Sequence, residues 1–203
     1  MLAVTGGMSA GKSALASILR REGASYLSLD ELAHSLYEPG KPLYQPLIRA
    51  FGRGILGVDG AIDRGKLGRL VFTDPHALAR LDGLVHPVLR REAGAAVTRM
   101  KRLHRLVVVE TGPLLFRLGL NRLVDGAVLV GAGRRERLAR LMSGRGLSRA
   151  DAMARLDASK KGEINLEKGF GSIRRRMAVD ASGGPERLEA AAVRILGAIK
   201  RWK

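Results

Sequence analysis

The sequence predicts an α/β fold in which a parallel sheet lies between two layers of helices, with a helical insertion and a small lid added to it. Three observations carry that expectation. A short apolar run, Leu2–Val4, passes through Thr5-Gly6-Gly7 into Lys12–Arg21, which has helical periodicity through Leu15, Ile18 and Leu19. Further short apolar runs recur at Tyr26–Leu29, Leu106–Val109 and Val124–Val130, with helical patterns between and after them. Such alternation marks a parallel sheet covered by helices. Finally, 203 residues with 46% hydrophobic content can bury one good core and carry appendages, so a single domain over 1–203 is expected.

Taken in order, the first strand, a glycine turn and a helix open the chain, and the second strand ends near Asp30. The stretch from Glu31 to Arg105 breaks the rhythm. It is a string of short helical patterns punctuated by Glu38-Pro39-Gly40, Asp59-Gly60, Asp74-Pro75 and His86-Pro87, and is expected to be a helical insertion over 31–105. After the fourth strand, Gly144-Arg145-Gly146 separates two Arg-rich helical segments, a shape that suits a mobile lid over 134–159. Arg176–Val179 reads as a last strand. Pro185–Lys200 reads as a closing amphipathic helix with Leu188, Val193, Ile195 and Leu196 on its apolar side.

Composition narrows the chemistry. With no cysteine there is no disulfide framework, thiolate metal site or cysteine nucleophile. Met1–Thr5 runs into glycines without a basic or long apolar leader, and no apolar run is long enough to span a membrane. A soluble, untargeted, cytoplasmic protein is expected. Lys and Arg number 36 against 19 Asp and Glu, a formal charge of +17, which draws polyanions to the surface. Nucleotides and nucleic acid both qualify, but aromatics are only 4% of the residues and no base-stacking motif is present, so nucleic acid is not the expected partner.

The strongest signal is Gly6-Gly7-Met8-Ser9-Ala10-Gly11-Lys12-Ser13, which fits G-x-x-x-x-G-K-[ST] in its required place between strand and helix. Glycines let the loop curl around phosphates so that backbone N–H groups point inward, and the following helix adds its positive end. Lys12 then reaches the terminal phosphates of a nucleotide such as ATP, and Ser13 offers its hydroxyl to Mg2+. The predicted fold is therefore a P-loop NTPase three-layer αβα sheet. Asp30 has two readings: a carboxylate that accepts a proton from an attacking hydroxyl, or a cap for the helix that follows. Glu110 is the other acid at a strand end, able to hold magnesium through water or to position substrate. His86, before Pro87, either contacts a ligand or marks a helix boundary. Of Arg134, Arg135, Arg137, Arg140, Arg145, Arg149 and Arg155, two or three are expected to touch ATP, where guanidinium groups stabilise the charge of the transferring phosphoryl group.

Beyond the P-loop, the chain resembles the dephospho-CoA kinase family in a succession of landmarks. Thr5–Ser13 resembles its TGG-x-x-x-GKS start, and Leu29-Asp30-Glu31-Leu32-Ala33-His34 its D-x-[IL]-A-[RH] segment. Asp63-Arg64, Val71-Phe72-Thr73-Asp74-Pro75, His86-Pro87 and Pro113-Leu114-Leu115-Phe116 follow in the family's order, and Arg140, Arg145, Gly146-Leu147-Ser148 and Arg155 resemble its lid. The resemblance implies transfer of the ATP γ-phosphate to the ribose 3′-hydroxyl of dephospho-CoA. By the same resemblance Asp30 is the base, Lys12 and Arg145 act on the phosphoryl group, and Gly6, Gly7, Ser9, Ala10, Gly11, Ser13, Ala14 and Arg140 hold the nucleotide. Asp30, His34, Arg64, His86, Glu110, Pro113 and Leu114 meet the acceptor. The chain departs from the pattern at Ala14, Ser28, Arg117, Ser159, Arg175-Arg176 and Ala181. Two other readings are a kinase of the same fold with another nucleoside or nucleotide acceptor, and a basic P-loop protein that senses nucleotide or binds nucleic acid without catalysis.

Overall fold

The computed structural model describes residues 1–104 and 106–202, with the side chains of all of these but Phe72, Arg145 and Lys161. Contacts divide the chain into two compact units, Met1–Leu27 with Val97–Lys203, and Ser28–Ala96.

The first unit is built on the strands β1 (Leu2–Gly6), β2 (Ser25–Ser28), β3 (Val107–Glu110), β4 (Gly126–Gly131) and β5 (Arg176–Asp180), in the order β2-β3-β1-β4-β5. β1 runs parallel to β3 and β4, with Leu2 opposite Val108 and Gly126, and β4 runs parallel to β5. Side chains alternate across a strand, and both faces here are apolar. Leu2, Val4, Val108, Val128 and Val130 pack with Leu15, Ala16 and Leu19 of α1 (Lys12–Arg21) and with Leu188, Ala191, Ala192 and Ile195 of α9 (Pro185–Lys200). Ala3, Val107, Val109 and Ala127, one residue out of step, are also buried. The αβα expectation is met. Leu19 is 0% exposed inside this cluster, so Leu19→Ala is expected to destabilise by about 2–5 kcal/mol in urea melts, through lost burial plus a cavity.

Val193 had been expected on the apolar side of α9 but is 70% exposed. It lies two positions, about 200°, from buried Ile195, on the opposite face of a helix with 3.6 residues per turn.

The second unit is mainly helical: α2 (Leu29–Ser35), α3 (Tyr44–Phe51), α4 (Arg64–Thr73) and most of α5 (Pro75–Leu103). α5 runs as one helix from Pro75 to Leu103. Pro87 lies inside α5 and does not end it, contrary to the boundary expected at His86-Pro87. A proline in a helix forfeits one hydrogen bond and clashes with the carbonyl four residues back, at about 3 kcal/mol. The buried stripe Val85, Leu89, Ala93 and Ala96 continues past it, and each buried Val or Leu contributes about 1.5–3 kcal/mol, enough to hold the helix together.

The segment 134–159, expected to be a lid, is made of α7 (Arg134–Arg145) and the first half of α8 (Arg149–Gly171), with Ser148 accepting from the Asp151 N–H at the start of α8. Leu141 of α7 and Ala152 and Leu156 of α8 form a small cluster, against which Met8 and Leu147 pack. α6 (Leu114–Arg117) follows β3 directly.

Candidate active site

The glycine loop runs from the end of β1 to the start of α1, as the motif requires. Gly11 has φ 104°, and a Cβ there would lie 3.0 Å from Ala181 Cβ and 3.3 Å from an Arg140 nitrogen, so both conformation and space select glycine. Lys12 Nζ curls back over the loop and donates to the Gly7 carbonyl at 2.9 Å. Ser13 Oγ donates to Glu110 Oε1 at 2.6 Å, and the Tyr26 hydroxyl donates to Glu110 Oε2 at 2.6 Å.

Glu110 is only 9% exposed, and β3 places it there: in the sheet register it stands opposite Val4, two residues before the loop begins. A hydroxyl and a buried carboxylate thus converge at the loop. Oxygen donors of this kind suit a hard cation such as Mg2+, which takes one or two protein ligands and completes its shell with substrate phosphates and water. Among the described residues no group of three or more His, Asp or Glu could hold a metal without such help.

Two arginines of α7 also reach the loop. Arg137 Nε donates to the Met8 carbonyl at 2.7 Å, and Arg140 donates to the Ser9 carbonyl at 3.2 Å and to the Ala181 carbonyl at 2.6 Å. Arg134 instead forms an exposed pair with Asp157 of α8. The Arg145 side chain lies outside what the structure describes.

Arg137 was legible only as one of seven arginines. It stands three residues before Arg140, hence on the same helix face, and that spacing was the signal that could have picked it out. Arg137 Nη1 also donates to Glu163 Oε2 at 2.9 Å, and Glu163, 26 residues away, had no local signal at all. Pro113 immediately precedes α6, and a Cβ on Gly162 of α8 would sit 3.3 Å from its ring. Leu114 is the first residue of α6, half-buried.

Asp30, His34, Arg64 and His86 belong to the second unit. Asp30 is not at the strand end and is not the helix cap: it sits in the first turn of α2, and Ser28 caps that helix by accepting from the Glu31 N–H. Ser28 is the better cap here because a cap residue must keep extended backbone angles, which Ser28 has as the last residue of β2.

Asp63 accepts from the N–H groups of Gly65 and Lys66 and so fixes the start of α4, where Arg64 stands. Burial, and then the Arg64 charge, push the His34 imidazole below its usual range against the opposing pull of Asp30 and Glu31. His34 meets the Tyr37 ring edge-on, with centroids 6.2 Å apart. Burial pushes the Tyr37 hydroxyl up to about 12, and the Asp82 charge adds to the rise while Arg64 opposes it. Asp82 lies 3.3 Å from His86 Nε2. His34, Arg64 and His86 are therefore linked through Tyr37 and Asp82, two residues that no motif had singled out.

Two departures from the family pattern have structural uses: Ser28 caps α2, and the Ser159 hydroxyl donates to Glu163 at 2.7 Å. No helix among the described residues is long and apolar enough to cross a membrane.

A family model described as dephospho-CoA kinase matches residues 1–168. A dephospho-CoA kinase of Anaeromyxobacter dehalogenans is 38% identical over 201 residues, covering 98% of this chain and 92% of that protein. The crystal structure of TT1252 from Thermus thermophilus superposes with a TM-score of 0.77 at 33% identity, covering 97% of this chain and 95% of the other. The dephospho-CoA kinase from Campylobacter jejuni shares the fold, with a TM-score of 0.69 at 22% identity over 98% and 96% of the two chains.

Proposed function

This chain belongs to the dephospho-CoA kinase family, and from that premise we propose how its residues divide the work of the reaction. The enzyme uses ATP as phosphate donor and performs the last step of CoA biosynthesis, converting dephospho-CoA to CoA with release of ADP. The observation that carries the assignment of roles is the convergence of Lys12, Ser13 and Glu110 at a glycine loop that α7 arginines also grip.

In our reading the loop from Gly6 to Ala14 binds the ATP phosphates through its backbone N–H groups and the N-terminus of α1. Lys12 leaves the Gly7 carbonyl to meet the terminal phosphates. Ser13 and Glu110 hold Mg2+, which neutralises phosphate charge when bound; Tyr26 keeps the Glu110 carboxylate oriented. Arg140 spans the loop and the residue after β5, and Arg145 acts from the lid.

Asp30 accepts the proton of the ribose 3′-hydroxyl as the bond from that oxygen to the γ-phosphorus forms and the bond to the ADP oxygen breaks. The proton then passes from the Asp30 carboxyl to solvent. His34, Arg64 and His86, with Pro113 and Leu114, bind the acceptor. The insertion over 31–105 serves that acceptor, and the segment 134–159 acts as the lid. A cytoplasmic setting fits a chain without cysteine that consumes ATP, and the excess positive charge steers anionic substrates to it.

The test is ADP release with MgATP and dephospho-CoA, run beside adenosine, AMP and dCMP as acceptors, with the product identified by mass. Selective formation of CoA is expected. Turnover only with another acceptor would keep the fold and the nucleotide site but refute the acceptor; ATP binding without transfer to any of them would refute the catalytic roles.

A further inference from the structure

The turn at Gly7–Met8 already holds an anion, and that anion belongs to the chain itself. Glu163, halfway along α8, lays its carboxylate on the loop so closely that a Cβ on Gly7 would stand 2.7 Å from its Cδ and Oε1. Arg137 grips both oxygens: Nη1 donates to Oε2 at 2.9 Å and Nη2 donates to Oε1. The Ser159 hydroxyl donates to Oε1 at 2.7 Å, and the Met8 N–H is a further donor to the same carboxylate. Burial pushes the Glu163 carboxyl up, yet these donors outweigh it and hold it below the usual carboxylate range, so the group is an anion at neutral pH.

A guanidinium fork, a hydroxyl and a P-loop amide are the donors that a phosphate oxygen would recruit at such a place. The Arg137 Nε bond to the Met8 carbonyl fixes the guanidinium at the loop whether or not the carboxylate is there. Met8 itself packs against the α7–α8 cluster, so the loop and the lid helices share one contact region.

We propose that Glu163 competes with ATP at the loop: its carboxylate occupies the Arg137 fork and the Met8 N–H that the terminal phosphates would recruit, and it cedes both to them when ATP binds. The exchange is of one anion for another on the same donors. Its consequence is that Glu163 competes with ATP and weakens its binding, while sparing the loop from presenting an unpaired guanidinium beside unpaired amides. The inference rests on the reading of the P-loop as the ATP site.

The experiment is titration of MgATP alone into the full-length enzyme and its variants, followed by steady-state turnover. Glu163→Gln, which keeps the shape and removes the charge, is expected to bind MgATP about tenfold more tightly, since bonds to a charged acceptor are roughly twice as strong as neutral ones. Its KM for ATP should fall accordingly while the KM for dephospho-CoA stays the same. Glu163→Asp keeps the charge but shortens the reach, and is expected to tighten MgATP in the same direction, which separates contact from long-range charge. Asp157→Asn removes one negative charge six residues earlier on α8, where Asp157 pairs with Arg134 and Lys160, and should leave MgATP affinity within about twofold.

Weaker or unchanged MgATP binding in both Glu163 variants, with wild-type binding intact, would overturn the proposal and leave Glu163 as a brace for Arg137. Equal tightening in Asp157→Asn would also overturn it, in favour of general electrostatics. A wild-type enzyme that bound no MgATP would refute the site reading first and this inference with it.

Discussion

Asp30→Asn is expected to lower kcat by about 10²- to 10⁴-fold, the range that a positioned general base contributes, while the Kd for MgATP changes by less than about twofold. Asparagine has nearly the shape of aspartate and can still orient a hydroxyl through its amide oxygen, but it cannot take the proton that leaves when the 3′-oxygen attacks. The structure also removes the usual objection that such a variant merely unfolds a helix. Ser28, not Asp30, caps α2 by accepting from the Glu31 N–H, so the cap survives the change. What is lost in stability is the interaction of one first-turn carboxylate with the helix dipole, about 0.3–1 kcal/mol. Turnover by ADP release, MgATP titration and a thermal melt on the same preparation together separate the roles. A variant with wild-type melting and near-wild-type kcat would take Asp30 out of the reaction.

The sheet and the glycine loop were largely legible in the sequence because their signals are local. The strand–glycine–helix passage from Leu2 to Arg21 states its conformation within 20 residues, and α1 has the expected bounds, Lys12–Arg21. The closing helix, Pro185–Lys200, was equally legible, although Val193 shows that a count of apolar residues does not fix a helix face until the 100° step is applied. Glu110 could be picked out as a strand-end acid, but its two partners could not. Ser13 lies 97 residues away and Tyr26 lies 84 away, and only the parallel pairing of β1 with β3 brings β3's end to the loop.

Arg137 and Glu163 illustrate the same limit at shorter range. Both sit in charged helices where most such residues are solvated, and only the folded chain distinguishes the pair on the loop from the exposed pair formed by Arg134 and Asp157. Pro87 misled for a different reason. Local propensity argued for a boundary, and the burial of Val85, Leu89, Ala93 and Ala96 on one stripe prevailed over it. Ser28 and Asp30 cap helices about equally well by residue type, and only the extended backbone of Ser28 decides between them.

Lys12→Ala is expected to lower kcat/KM by about 10²- to 10³-fold, comparable to the removal of one preorganised donor from a transition state. The argument rests on where the charge is used. In phosphoryl transfer negative charge spreads over the oxygens of the moving group, and a fixed ammonium beside them stabilises that state more than the ground state. In this chain the Lys12 ammonium is held 2.9 Å from the Gly7 carbonyl, on the loop that we propose cradles the phosphates. A purely structural Lys12 would behave otherwise: truncation would loosen the loop, lower the melting temperature by several degrees, and weaken ADP and ATP alike. The catalytic role predicts a small change in melting and in ADP affinity, with the loss concentrated in kcat. Lys12→Arg sharpens the distinction, because it retains the charge but replaces a compact ammonium on a flexible stem with a planar fork. If charge near the loop were all that mattered, arginine would restore most of the rate. If the position of a small ammonium against the terminal phosphates is what counts, Lys12→Arg should remain at least about tenfold below wild type in kcat, and single-turnover measurements at saturating MgATP would show that deficit in the transfer step itself.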